Sequence, residues 1–360
     1  MNKFLYPATL AVLLMLTLTA CGNGNSATPP APEPTPLNET ALTSTIIETA
    51  ITAEQAAELE PVGRSFDPAD INIGVLRGPT GLGMLGVMDI DNPYYHISLM
   101  GAPDEIVPQL VQGNLDLAAV PANLASVLYN NTNGAIQVLA INTLGVLHII
   151  DTTDSIESIA DLAGQTVFLS GLGGVPEFAL NHVLRQHGLE PGQDVTLDFR
   201  SEHTEISALL QAGYAQIALL PEPFATTTTL NVDNARFAVD LSQAWHAVEP
   251  NSNLVMGVLV GRRDFVEANP DATLAFLLDY SDSIALTLSD LPHVAELAVY
   301  HGIIPNPNVA AQAIPRSNIV FIEGQQMADY LTGFLSVLYE QAPASIGGNL
   351  PSAAFFFDRP

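Results

Sequence analysis

The chain repeats itself at an offset of one hundred residues, and that repeat narrows the folds open to it. Glu105-Ile-Val-Pro-Gln-Leu-Val-Gln-Gly-Asn-Leu-Asp-Leu-Ala-Ala-Val-Pro121 lies over Glu205-Ile-Ser-Ala-Leu-Leu-Gln-Ala-Gly-Tyr-Ala-Gln-Ile-Ala-Leu-Leu-Pro221. Glu, Ile, Leu, Gly, Ala and Pro recur in register. An earlier pair precedes it: Ile73-Gly-Val-Leu-Arg-Gly-Pro-Thr-Gly81 matches Thr166-Val-Phe-Leu-Ser-Gly-Leu-Gly-Gly174. Each reads as a strand, a glycine-rich turn and the start of a helix. Two matches in the same order describe a duplicated unit, each copy with one glycine corner and one strand ending in proline.

The residues between these landmarks alternate strand and helix. Ile71 to Leu76 and Tyr95 to Met100 read as strands, with a helix over Leu82 to Met88 between them. Pro103 opens a helix to Gln112, since proline suits a first turn; Pro108 should kink it. Leu115 to Val120 and Ile136 to Ile141 are further apolar strands. Such alternation predicts an α/β fold with a largely parallel sheet buried on both faces. Asn142 to Asp151 and Leu254 to Gly261 read as strands that cross between two lobes. Helical spacing returns over Pro270 to Leu288, Pro292 to Tyr300 and Gln325 to Tyr339. The expectation is a two-lobe α/β fold, each lobe a mostly parallel sheet flanked by helices, joined by two crossing strands. Lobe 1 takes residues 67–150 and 255–360; lobe 2 takes 151–254.

Ahead of this body stands a different kind of sequence. Lys3 and the apolar stretch Ala8 to Leu18 form a signal peptide over residues 1–20, too short for a comfortable membrane span. Leu18-Thr19-Ala20-Cys21 resembles a bacterial lipobox, which makes Cys21 the lipidation site and membrane anchor. Residues 21–66 read as a tether, because Thr28-Pro29-Pro30-Ala31-Pro32-Glu33-Pro34-Thr35-Pro36 favours extended polyproline; Thr43 to Leu59 could add a loose helix. Cys21 is the only cysteine, so no disulfide forms within the chain. With 38 acidic against 10 basic residues, the net charge of −28 repels nucleic acid and anionic headgroups. Hydrophobic residues make up 48%, ample for a core that packing alone must stabilise.

Ligands in open α/β sheets bind beyond the carboxyl ends of the strands. Two facing lobes would set two such ends across one cleft. Gly78, Pro79, Thr80 and Gly81 on one wall, and Ser170, Gly171, Gly173 and Gly174 on the other, are helix-opening loops. Their backbone N–H groups suit polar or negative groups, although tight turns would use the same glycines. Asn123 serves as a ligand donor or as a helix cap. Glu222, between two prolines, serves as a ligand contact or as a helix-start charge. Glu202 and His203 line the rim, and Thr143 a polar floor.

Enzymatic signatures are missing. The eight histidines form no His-Glu-x-x-His or Cys/His set, so no metal is expected. There is no Gly-x-Ser-x-Gly elbow, and Ser170-Gly-Leu-Gly-Gly174 lacks the Lys-Ser/Thr of a phosphate loop. Gly81-Leu-Gly-Met-Leu-Gly86 fits a dinucleotide fingerprint by spacing only, and no cofactor is expected.

Together these residues resemble the solute-binding lipoproteins of ABC importers, in the branch that includes nitrate, sulfonate, taurine and thiamine-pyrimidine binders. The resemblance rests on Gly78-Pro79-Thr80-Gly81, Gly101-Ala102-Pro103-Asp104-Glu105, Val120-Pro-Ala-Asn123, Asn142-Thr-Leu-Gly145, Leu219-Leu-Pro-Glu-Pro-Phe224 and Ala344-Ser-Ile-Gly-Gly-Asn-Leu-Pro351. It covers residue 70 to the end and names no ligand. It implies a flytrap that closes on a small molecule and delivers it to an ABC permease, acting as a monomer outside the cytoplasm. Enzymes on this fold that carry pyridoxal phosphate use a lysine, and Lys3 is the only lysine here. Arg77 and Arg200 are the only cations near strand ends. An anionic, a neutral and a cationic ligand all remain open. So do two other roles on the same fold: a sensory surface module, and an extracytoplasmic enzyme.

Overall fold

The first apolar run, Ile71–Leu76, forms strand β1, and strand and helix alternate from there through both halves. The computed structural model describes residues 68–359. The signal peptide over 1–20, Cys21, and the tether over 21–66 with its helix over Thr43 to Leu59 lie outside the described residues.

In the first half β1 is followed by α1 (Pro79–Leu82), α2 (Leu85–Asp89), β2 (Tyr95–Met100), α3 (Pro103–Gln112), β3 (Leu117–Pro121), α4 (Ala122–Asn131) and β4 (Ile136–Leu144). The second half runs β5 (Leu147–Asp151), β6 (Thr166–Leu169), α5 (Val175–Gln186), β7 (Thr196–Phe199), α6 (His203–Gln211), β8 (Ile217–Pro221), α7 (Phe224–Asn231), β9 (Arg236–Asp240) and α8 (Leu241–Val248). The chain then returns with β10 (Val255–Arg262), α9 (Arg263–Ala268), α10 (Pro270–Ser289), α11 (Leu291–Tyr300), α12 (Pro307–Ala313), β11 (Ile319–Ile322) and α13 (Gly324–Gln341).

Two sheets result, ordered β11-β4-β10-β3-β1-β2 and β7-β6-β8-β5-β9. They correspond strand for strand: β2-β1-β3 to β7-β6-β8, parallel in both. Beside β3 runs antiparallel β10, and beside β8 runs antiparallel β5. The repeat is therefore structural. β3 and β8 carry the same run of four buried residues before a half-buried proline. Gly113 and Gly213 take left-handed backbone (φ 81° and 73°) just after α3 and α6, which only glycine adopts without strain. No helix among the described residues is long and apolar enough to cross a membrane.

One local expectation changes. The helix expected over Leu82 to Met88 is broken into α1 and α2. Ser283 of α10 explains the break: its hydroxyl donates to Gly83 O at 2.6 Å and accepts from Val87 N at 3.2 Å. It thus stands between the two groups that a continuous helix would bond to each other. Gly86 permits the approach, since a Cβ there would sit 2.9 Å from Ser283 Cα. Helix α3, by contrast, runs through Pro108 unbroken.

The chain passes from the first sheet to the second at Gly145–Val146, since β4 pairs with β10 and β5 with β8 and β9. Segment 249–254 brings it back to β10. One apolar core spans the hinge and joins both lobes: Leu180, Trp245 and Leu169 of lobe 2 belong with Phe334, Leu338 and Val258 of lobe 1. Helix α13 supplies much of it, and Phe334 packs on Trp245 with ring centroids 5.8 Å apart. The lobes are thus fastened along one side.

Candidate functional site

On lobe 2, three strand ends each give way to the start of a helix. Ser170 follows β6 and is 5% exposed. Its Oγ lies 2.8 Å from Nδ1 of His203, the first residue of α6. The His203 ring leans on Phe224, the first residue of α7, with centroids 4.8 Å apart. The structure thus brings two of the expected residues together and adds a third. Burial pushes His203 down to about 4, so its ring is neutral at neutral pH. Among the described residues no carboxylate holds this ring, so the set that would make Ser170 a nucleophile is incomplete.

The glycine corner beside Ser170 is open. Gly171 and Gly173 have φ of 84° and 74°, and Leu172 between them is 72% exposed. Gly173 N donates to Glu177 Oε2 at 2.6 Å, so helix α5 already has a carboxylate at its start. Gly174 has no room for a side chain, as a Cβ would lie 3.1 Å from Gly171 O. Glu202 precedes α6, is exposed and makes no capping bond.

Glu222 is wholly buried. Its Oε1 accepts from Thr226 Oγ1 at 2.9 Å and its Oε2 from Thr226 N at 3.2 Å. Both oxygens therefore serve the first turn of α7, the helix-start alternative. Burial raises its carboxyl to about 7, against the bonds from Thr226 and the charge of Arg316, which hold it down. Its own N–H donates to Val146 O at 3.0 Å and ties the hinge to lobe 2.

The lobe 1 corner is packed. Gly78 has φ 122° and open space beside it. Pro79 starts α1. Thr80 Oγ1 donates to Leu76 O at 3.3 Å. At Gly81 a Cβ would meet Leu76 O at 2.9 Å and Ile303 Cδ1 at 3.2 Å, so this glycine makes room for Ile303. Asn123 Nδ2 donates to Ser345 O at 3.2 Å, holding α4 to the turn over 343–346. Thr143 is buried and donates to Asn142 Oδ1 at 3.0 Å. Asn142 Nδ2 beside it is buried without a partner.

No hydrogen bond among the described residues links the two corners. Between the lobes lies a half-open cavity of about 430 Å³, with α6 and α7 on one side and Ile303 and Pro305 on the other. Thr204, Ser207 and Gln211 line it from α6, Phe224 and Asn231 from α7. None of the expected glycines lines it, and the two corners lie behind residues that do. Gly81 backs Ile303, and His203 backs Phe224. Sequence reasoning missed these residues. Their signal was present: Thr204, Ser207 and Gln211 share one helical face, and Thr226 to Thr229 is a run of four threonines.

The cations near the strand ends are engaged. Arg77 donates to His301 O at 3.4 Å and Gly302 O at 3.1 Å. Arg200 sits 2.9 Å from Asp198 and 3.6 Å from Glu205. Among the described residues no group of three or more His, Cys, Asp or Glu side chains is arranged to hold a metal ion.

No family model matches the sequence, and no curated protein matches it either. Solved structures do match. An ABC transporter protein from Parabacteroides distasonis superposes with a TM-score of 0.69 at 21% identity, covering 81% of this chain and 100% of that one. The periplasmic aliphatic sulphonate binding protein of Escherichia coli gives 0.66 at 18%, covering 82% and 94%. The periplasmic nitrate-binding protein of Synechocystis PCC 6803 gives 0.56 at 14%, covering 80% and 83%. The chain has the two-lobe fold of periplasmic binding proteins. At these identities the likeness is one of fold.

Proposed function

We propose that the protein captures a small molecule between its lobes and hands it to an ABC permease, held outside the cytoplasm by a lipid on Cys21. The observation that carries this reading is the cavity walled by Thr204, Ser207 and Phe224 of lobe 2 and by Ile303 and Pro305 of lobe 1. A molecule touching both walls stabilises the arrangement that brings them together, and the open arrangement has no equivalent contact. The hinge at Gly145–Val146 and the return through 249–254 are the pivots. The fold neighbours named as sulphonate and nitrate binders support a binding role without chemistry.

Small-angle scattering tests it. Protein purified natively is compared with the same protein after unfolding, dialysis and refolding to strip retained solutes. The native sample is expected to be smaller and to show a retained solute by native mass spectrometry. A retained solute with superimposable scattering profiles overturns the reading. Neighbouring genes for a permease and an ATPase fit delivery; a kinase in their place moves the role to sensing.

A further inference from the structure

We propose that the captured molecule is uncharged, with an apolar planar body, and that it sits in the cavity between α6, α7 and Ile303–Pro305. This rests on the reading of the protein as an interlobe binder. Three independent observations point the same way.

The first is the lining. The cavity is about 430 Å³, within the roughly 300–1,000 Å³ of small-molecule sites. Thr204, Ser207, Gln211 and Asn231 offer hydroxyl and amide groups, and Phe224 and Ile303 offer apolar surface. No Asp, Glu, Lys, Arg or His lines it, in a chain with 38 acidic residues. An ion entering it would lose hydration and gain no countercharge.

The second is that two places where an oxyanion could bind are filled from within. Gly173 N, at the start of α5, is taken by Glu177. Arg200 is held between Asp198 and Glu205, and Arg77 is spent on two backbone carbonyls. The oxyanion chemistry in the names of the fold neighbours thus finds Arg200 and the start of α5 already engaged.

The third is the ring. His203 is fixed by Ser170 and leans on Phe224, which lines the cavity and is held from behind by that contact. A fixed aromatic side chain favours a flat partner at small cost in side-chain freedom.

A charge series on one ring tests the proposal: benzamide, protonated benzylamine and benzenesulfonate, each added to the full chain and read by saturation-transfer NMR. Benzamide is expected to bind about tenfold or more tightly than either ion. The signal should vanish in Ser207→Trp, which fills the cavity, and in Asn231→Trp, which blocks its exposed rim; a melting curve checks that each variant is folded. Tighter binding of either ion overturns the ligand class. Benzamide signal unchanged in both folded variants overturns the location. No signal from any of the three overturns the proposal, while compaction on a retained solute would leave interlobe capture standing.

Discussion

Gly78–Gly81 and Ser170–Gly174 hold equivalent places in the two halves, and the molecule uses them differently. At Gly81 a Cβ would press on Leu76 O and on Ile303 from the returning chain; at Gly174, its counterpart in the repeat, it would meet only the corner's own Gly171 O and Pro176. The cause lies outside the repeat. Lobe 1 also receives the returning chain, so Ile303 and α10 cover its corner. Lobe 2 receives no such cover at its corner, and Leu172 stays 72% exposed. Duplication set the backbone of each corner; what later packed on it decided whether the corner is a joint or a rim.

The largest effect is expected from filling the covered corner. Gly81→Val should cost about 3 kcal/mol in urea unfolding, through overpacking against a carbonyl and a buried isoleucine. Gly173→Val, strained only by its positive φ, should cost about 1–2 kcal/mol. Equal losses would break the comparison.

Acid titration comes next, and it reads lobe 2 alone. His203 is lowered from 6.5 to about 4, so between these values the unfolded chain binds a proton that the folded one does not. Stability is therefore lost as pH falls from 6.5 to 4, by about 2 kcal/mol. His203→Gln should remove that share of the acid loss, while His148, also lowered by burial, keeps its own. Glu222 has the opposite sign: it is raised from 4.5 to about 7, so its contribution declines as pH rises across that window. Glu222→Gln should then gain on the wild type above pH 7, by about 1 kcal/mol. Denaturation midpoints across pH 4 to 8 separate the two.

The smallest stability effect belongs to the open corner's tip. Leu172→Ala should change unfolding by less than about 0.5 kcal/mol. If closure covers this side chain, the variant should weaken retention of the native solute about fivefold. Unchanged retention, measured by dialysis and native mass spectrometry, would show that the rim stays outside the closed site.

Much of this architecture was legible. The hundred-residue offset placed α3–β3 over α6–β8, and Tyr95–Met100 and Pro103–Gln112 were bounded as observed. The site was less so. Ser170 and His203 were both marked, but the bond between them needs β6 and β7 side by side. The polar face of α6 passes for a solvated face until Ile303 and Pro305, about a hundred residues later, are laid against it. Asn123 and Glu222 each had two possible roles; Asn123 instead ties α4 to Ser345 O, which is neither cap nor ligand contact, and Glu222 bonds Thr226 in the first turn of α7. The split of α1 from α2 depended on Ser283, which no local pattern could reveal.

Strand β10 lies between β3 and β4, in the middle of the first sheet. The opening portion of the polypeptide thus leaves a slot that only residues 255–262 fill. A nascent chain cannot complete this sheet until that late stretch has emerged. The first sheet therefore closes late, after every strand of the second, which all lie between residues 147 and 240, is already present in the chain.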